Sequence, residues 1–284
     1  MFAWKEKKNV RSQINKVTAG TDRVNVNRRA VGLVPSPIEG HGREVFQCRE
    51  LKYQHLLLTI EGKQGTCCVR VTSPTNKSRA AILILRGRVL GCLYGSKNMT
   101  QQAFGQDALR YTLADMASPD TLAEVYILTE EIALAAASLF HSKVMPVGKT
   151  DEPMDLLERA INGLLRTRAP GCVVISDSNR HALCMIYVCG GSIAGIYSFC
   201  EGWLDPSFEM AELCLASTPD PKVSACALTA TNMHDVYQLT FSLTGLVGER
   251  HAKPISRYEY DFDPQESCEP LGTLSSAILQ TVAG

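Results

Sequence analysis

Apolar and polar positions along this chain change rhythm several times, and each change predicts an element. In FQCRELKYQHLLLTIEG (46–62), Leu51, His55 and Leu58 recur at near-helical spacing and Gly62 can end the helix. GTCCVRVTSP follows, alternating Cys68, Arg70 and Thr72 with Val69 and Val71, which predicts a strand with one face buried. After a polar loop, Ser73–Arg79, the stretch Ala80–Leu85 is apolar and reads as a buried strand. Arg86-Gly87 makes a tight turn, and RVLGCLYG runs back as its hairpin partner. Ala108, Leu109, Leu113 and Met116 share one face of a helix that Pro119 stops. A strand over Ala123–Leu128 precedes ALAAASLFHS, a helix of small residues suited to close packing.

From Asp151 the rhythm restarts. DEPMDLLERAINGLLRTRAPG predicts a helix with Pro153 in its first turn, Pro170-Gly171 at its end, and a stripe of Met154, Leu157, Ile161, Leu164 and Leu165. Strands GCVVIS, HALCMIYVC and SIAGIYSF come next, the last two joined at Gly190-Gly191. Helix FEMAELCLAS, strand VSACALTA and a closing segment DVYQLTFSLTGLVG complete the second set. The two sets match in order and spacing, with Gly91 set against Gly195 and Phe140 against Phe241. The predicted fold is α+β: two tandem repeats, each a small, mainly antiparallel sheet with flanking helices. The repeats occupy 46–150 and 151–248. Residues 1–45 form a basic arm and linker, and 249–284 an acidic tail. Each unit has an apolar sheet face to bury, and pairing with its sibling is the simplest way to bury it.

Composition supports a packed protein: 45% apolar and 20% charged residues over 284 positions. Lys+Arg and Asp+Glu are both 29, so no bulk attraction to nucleic acid or anionic membrane is implied. The charge is instead segregated. The arm carries Lys5, Lys7, Lys8, Arg11, Lys16, Arg23, Arg28 and Arg29 against Glu6 and Asp22. The tail carries Glu259, Asp261, Asp263, Glu266 and Glu269. These opposite segments are suited to meet, within or between chains. The start of the chain lacks the apolar run of a signal peptide, and Ile127–Phe140 is too short and too charged to span a bilayer. The eleven cysteines sit inside apolar strings and contain no CxxC pair, which predicts core thiols in a reducing cytoplasm and no metal site.

One stretch has a family likeness. A Gly-led strand (Gly65–Val71), an apolar strand ending in RGRVLGCLYG (Arg86–Gly95), and a helix opening GQDALRYTL (Gly105–Leu113) resemble the PATAN-type domains of bacterial regulatory proteins. Gly87-Arg88-Val89-Leu90 fits that family's hairpin. Gly191-Ser192-Ile193-Ala194 in the second half drops the arginine. The likeness covers about half the chain and implies a regulatory or protein-interaction module without catalysis.

The chemistry is sparse. There is no GxSxG, HExxH, P-loop or EF-hand pattern. The glycines Gly190, Gly191 and Gly195 lie between two strands, whereas phosphate cradles lie between strand and helix. The six histidines are not at metal-ligand spacing, and Glu130-Glu131 and Asp151-Glu152 are chain neighbours that point apart. The expected function is therefore non-catalytic: a cytoplasmic regulatory or scaffold protein acting through protein–protein contacts, as a homodimer or higher assembly. Nucleic acid and membrane are not expected partners, and no cofactor is expected. The alternative is a sensor of a small anionic, nucleotide-like ligand between the repeats or under the arm. Arg11, Arg23, Arg28, Arg29 and Arg88 are the candidate binding residues.

Overall fold

β-Branched and small apolar residues dominate the central strands, and neighbouring strands are joined by turns that only certain backbones accept. Arg86-Gly87 and Gly190-Gly191 are the two clearest cases. All four residues have positive φ (46°, 75°, 65° and 94°), as a two-residue hairpin turn of the mirror type requires. A Cβ on Gly87 would also lie 2.7 Å from the Glu61 carbonyl oxygen. The computed structural model describes residues 30–48, 53–142, 152–230 and 232–246.

The chain is α+β. The first half runs β1 (Arg43–Gln47), α1 (Tyr53–Gly62), β2 (Cys67–Ser73), β3 (Ser78–Leu85), β4 (Arg88–Ser96), β5 (Ala103–Phe104), α2 (Gly105–Met116), β6 (Leu122–Ile127) and α3 (Glu130–His141). The second runs α4 (Pro153–Thr167), β7 (Gly171–Ser176), β8 (Ala182–Cys189), β9 (Ser192–Ser198), β10 (Gly202–Leu204), α5 (Phe208–Ala216), β11 (Lys222–Ala227), α6 (Met233–Gln238) and β12 (Phe241–Ser242). Two wholly antiparallel sheets result, ordered β1-β6-β2-β3-β4-β12, with β5 also on β4, and β10-β9-β8-β7-β11. The inner order β4-β3-β2-β6 has its counterpart in β9-β8-β7-β11.

Three apolar clusters hold these layers. One lies between the sheets and joins Cys68, Leu83, Leu85, Leu93 and Tyr126 to Val174, Met185, Tyr187 and Cys226, with α3 packed among them. A second lies under α1 and α2 on the far face of the first sheet, and a third under α4 and α5 on the far face of the second. Each fully buried aliphatic side chain contributes roughly 1.5–3 kcal/mol of transfer free energy. Both faces of both sheets are therefore covered, and β2 is buried on two sides. The single buried face read from its alternation is corrected: Arg70 looked solvent-facing in sequence and points into the inter-sheet layer.

Other expectations shift for local reasons. Phe46 and Gln47 belong to a strand that pairs with β6 rather than to the helix expected over 46–62, which is helical over Tyr53–Gly62. Its buried residues are Leu57 and Ile60, while Leu58 is 56% exposed and His55 also faces solvent. The closing segment splits into α6 and the short strand β12, so Phe241 is a strand residue while Phe140 is helical. No described helix is long and apolar enough to cross a membrane.

Candidate functional site

The inter-sheet layer contains one charged group that its apolar surroundings do not explain. Arg70 stands directly opposite Glu124 in the β2–β6 ladder, yet Glu124 Oε1 accepts from Arg43 Nε at 2.7 Å. Arg70 turns instead to main chain. Its Nη2 donates to the carbonyls of Val34 (3.0 Å) and Pro35 (3.3 Å) and to Ser36 Oγ (3.4 Å). Its guanidinium carbon lies 5.4 Å from the centre of the Tyr126 ring, within cation–π range. Among the described residues, its buried Nε has no hydrogen-bond partner. Burial pushes the guanidinium down, but Tyr126, Cys68 and Glu124 push it up by more, so Arg70 stays charged.

The segment it touches crosses the opening between the sheets. Residues 33–38 read Leu-Val-Pro-Ser-Pro-Ile, and Leu33 and Val34 are buried in the inter-sheet cluster. Tyr126 Oη donates to the Pro35 carbonyl at 2.5 Å. From the other sheet, Trp203 Nε1 donates to the Pro37 carbonyl at 2.9 Å. Trp203 is itself set by Tyr187 and Tyr197, whose ring centres lie 5.7 and 5.3 Å away. Prolines at 35 and 37 remove two main-chain donors, so this strap presents mainly acceptors. Donors of both sheets thus read the carbonyls of Val34, Pro35 and Pro37.

Of the residues singled out in sequence, Arg88 lies elsewhere. Its Nε donates to Thr240 Oγ1 at 2.7 Å, tying the hairpin to the approach of β12. Arg11, Arg23, Arg28 and Arg29, with the rest of the arm's charges and the acidic tail, lie outside the described residues. Ala133, Ala135, Ala136 and Ala137, in the stretch read as suited to close packing, are buried between the two sheets of one chain, where their small side chains let both sheets approach α3.

The described cysteines are free thiols, and all are buried except Cys200 and Cys214. Burial pushes Cys48 to about 11, and Cys67 and Cys92 to about 12. Such thiols are protonated and poorly nucleophilic at neutral pH. His181 is exposed and bound to Asp177 through its own turn, 3.1 Å from Nδ1 to Oδ2. Arg70 and Trp203 were missed in sequence. The available signal was a cation sharing the parity of Cys68 on a strand that follows a buried pattern. Trp203 gave no such signal, because its partner Pro37 is distant in the chain. Comparison with protein-family models, curated proteins and solved structures finds no match to this chain.

Proposed function

We propose that this chain is a non-catalytic regulatory or scaffold protein of the bacterial cytoplasm, acting through protein–protein contacts and self-association. A duplicated α+β unit of the PATAN type is part of this reading. The observation that carries it is the groove between the sheets, where Arg70, Tyr126 and Trp203 donate to the carbonyls of Val34, Pro35 and Pro37. A groove built to hold an extended, proline-containing segment of its own chain suits a similar segment of a partner. The strap then acts as a tethered competitor, present at an effective concentration on the order of millimolar.

The test is titration of the full chain with a peptide of residues 30–38, followed by Trp203 emission. The wild type binds weakly because its own strap competes. A Leu33→Ser, Val34→Ser variant, whose strap loses its buried anchors, binds at least tenfold more tightly. Arg70→Met added to that variant abolishes the gain. Absence of saturable binding to the loosened variant overturns the reading. Self-association is tested separately by sedimentation, where a mass fixed at one chain across concentrations removes that part.

A second reading rests on the open valence of Arg70 Nε, a buried donor able to take an anion. A nucleotide seated there raises the melting temperature of wild type and not of Arg70→Met, since a ligand that binds only the folded state stabilises it. Equal shifts in both proteins exclude Arg70 as the anion's partner.

A further inference from the structure

β6 and β11 hold matching places in the two sheets, but only one of them is covered. Leu128 N donates to Thr66 O (3.2 Å) just past β6, and Leu228 N donates to Pro170 O (2.7 Å) just past β11. Each bond points inward, to the neighbouring strand's approach. Main-chain groups alternate sides along an antiparallel strand. Lys222, Ser224 and Cys226 therefore point toward β7, as Leu228 does, and Val223, Ala225 and Ala227 point away from it. In β6 the counterparts are Ala123, Val125 and Ile127, and β1 meets them: Phe46 faces Ala123, Glu44 faces Val125, and Ile127 N donates to Gly42 O at 2.9 Å. Among the described residues, no strand pairs with the outer side of β11.

Natural sheets blunt an open edge with charge, proline, bulges or a covering element. β11 has Lys222 at its start, then Val-Ser-Ala-Cys-Ala, with no proline, and its register against β7 is regular. Beyond Lys222 it presents, among the described residues, three outward N–H and three outward C=O groups.

We propose that the outer edge of β11 is a strand-docking site and that its occupant is Tyr258–Phe262 of the same chain. That segment reads Tyr-Glu-Tyr-Asp-Phe, a strict period-two alternation of aromatic and acidic residues, and it matches the five-residue length of β1. Cross-strand neighbours share a face. Laid on β11, the aromatic side chains fall on the face of Val223 and Ala225, beside the cluster under α4 and α5. The carboxylates of Glu259 and Asp261 then fall on the face of Lys222, the one charge of the strand. Small residues at 225 and 227 leave room for the rings. Residues 247–257 can reach roughly 36–40 Å from Leu246, which packs against the first sheet's outer cluster. The acidic tail is on this account an intramolecular strand that closes the second sheet as β1 closes the first.

Residue-resolved hydrogen exchange on the full chain tests it. In wild type, the amides of Val223, Ala225 and Ala227 are protected along with those of Ser224 and Cys226. Tyr260→Pro speeds exchange at the first three by at least tenfold and leaves Ser224 and Cys226 unchanged, which also reports that the sheet is intact. Lys222→Glu gives a smaller loss at the same three amides. Rapid exchange of Val223, Ala225 and Ala227 in the wild-type chain overturns the proposal. So does protection that survives Tyr260→Pro, including protection that rises with protein concentration, the sign of a second copy at the edge.

Discussion

Two glycines show how single residues set the spacing of the layers. Gly91 and Gly195 both sit at a bulge, where the ladder register shifts beside Leu83 and Tyr187. A Cβ on Gly91 would stand 3.0 Å from the Phe140 ring, and one on Gly195 would stand 2.8 Å from Trp203 Cζ3 and 3.4 Å from Ile132 Cδ1. Phe140 and Ile132 are opposite ends of α3, so each glycine receives one end of the helix. Gly195→Ala forces the Trp203 ring off its seat. The expected cost is about 1–3 kcal/mol, the usual range for overpacking a filled core. Urea unfolding will show it as a lower midpoint at unchanged slope. At Arg70 the expected change is local. Arg70→Met removes the donors to Val34 and Pro35, and the amide of Ser36 and its neighbours will exchange faster while the central strands keep their protection. The placing of Gly91 and Gly195 in strands that return from a turn was legible in sequence. Its reason was not, because Phe140, Ile132 and Trp203 come from other parts of the chain. Leu58 was misread because three leucines in a row leave the phase of a helix undetermined, and packing against β-strands selected Leu57.

At the scale of elements, α3 bears the most. Thr129 caps it, accepting from Ile132 N at 3.3 Å, and Glu130 and Glu131 sit in its first turn, where the helix dipole favours negative charge. Arg86 holds Glu130 through two bonds of 2.7 Å, from Nε and Nη2. That contact keeps the Glu130 carboxyl below its ordinary value of 4.5. A carboxylate lowered in the folded state contributes stability that is complete above its unfolded value and is lost as pH falls through the folded one. The pair is exposed enough for solvent to screen it, so the effect is small. Glu130→Gln is therefore expected to be less stable than wild type at about pH 7, and the gap is expected to close by about pH 3. Thermal melts across that range read it. The middle of α3 gives a sharper contrast. Ala136→Leu adds volume where both sheets touch the helix and is expected to cost about 1–3 kcal/mol. Sedimentation should find the same mass as wild type, whereas a surface helix would have changed its association. Most elements were legible because their helix or strand pattern persists over six residues or more. The strand Arg43–Gln47 was not, since it is five residues long, lies beside a glycine-rich linker and takes its shape from pairing with β6.

Over the whole molecule, the order of layers decides how stability is shared. The cluster under α4–α5 draws on one half of the chain, whereas the cluster under α1–α2 also takes in Leu243 from beyond α6, and the inter-sheet cluster draws on both halves. The cross-connections go further than apolar contact. α3 follows the first sheet in sequence, and Ser138 Oγ lies 3.2 Å from Cys226 Sγ in the second. β12 follows the second sheet and pairs with β4 of the first, where Glu61 receives hydrogen bonds from Ser242 (2.8 Å) and from Thr244. Each half thus finishes the other. Burying Val174, Met185, Tyr187 and Cys226 requires α3, and closing the edge of β4 requires residues beyond α6. A chain so interlocked is expected to unfold as one unit. Trp203 emission reports the inter-sheet layer, and far-ultraviolet dichroism reports all strands and helices. The two should trace one coincident transition in urea. Separate midpoints would mean that the halves hold themselves. Residues 152–246 expressed alone are the stricter comparison, because their sheet keeps α4 and α5 on one face and loses α3 on the other. That fragment is expected to expose the Tyr187 face, bind a hydrophobic dye and associate as concentration rises, with a stable, dye-silent monomer as the opposing result.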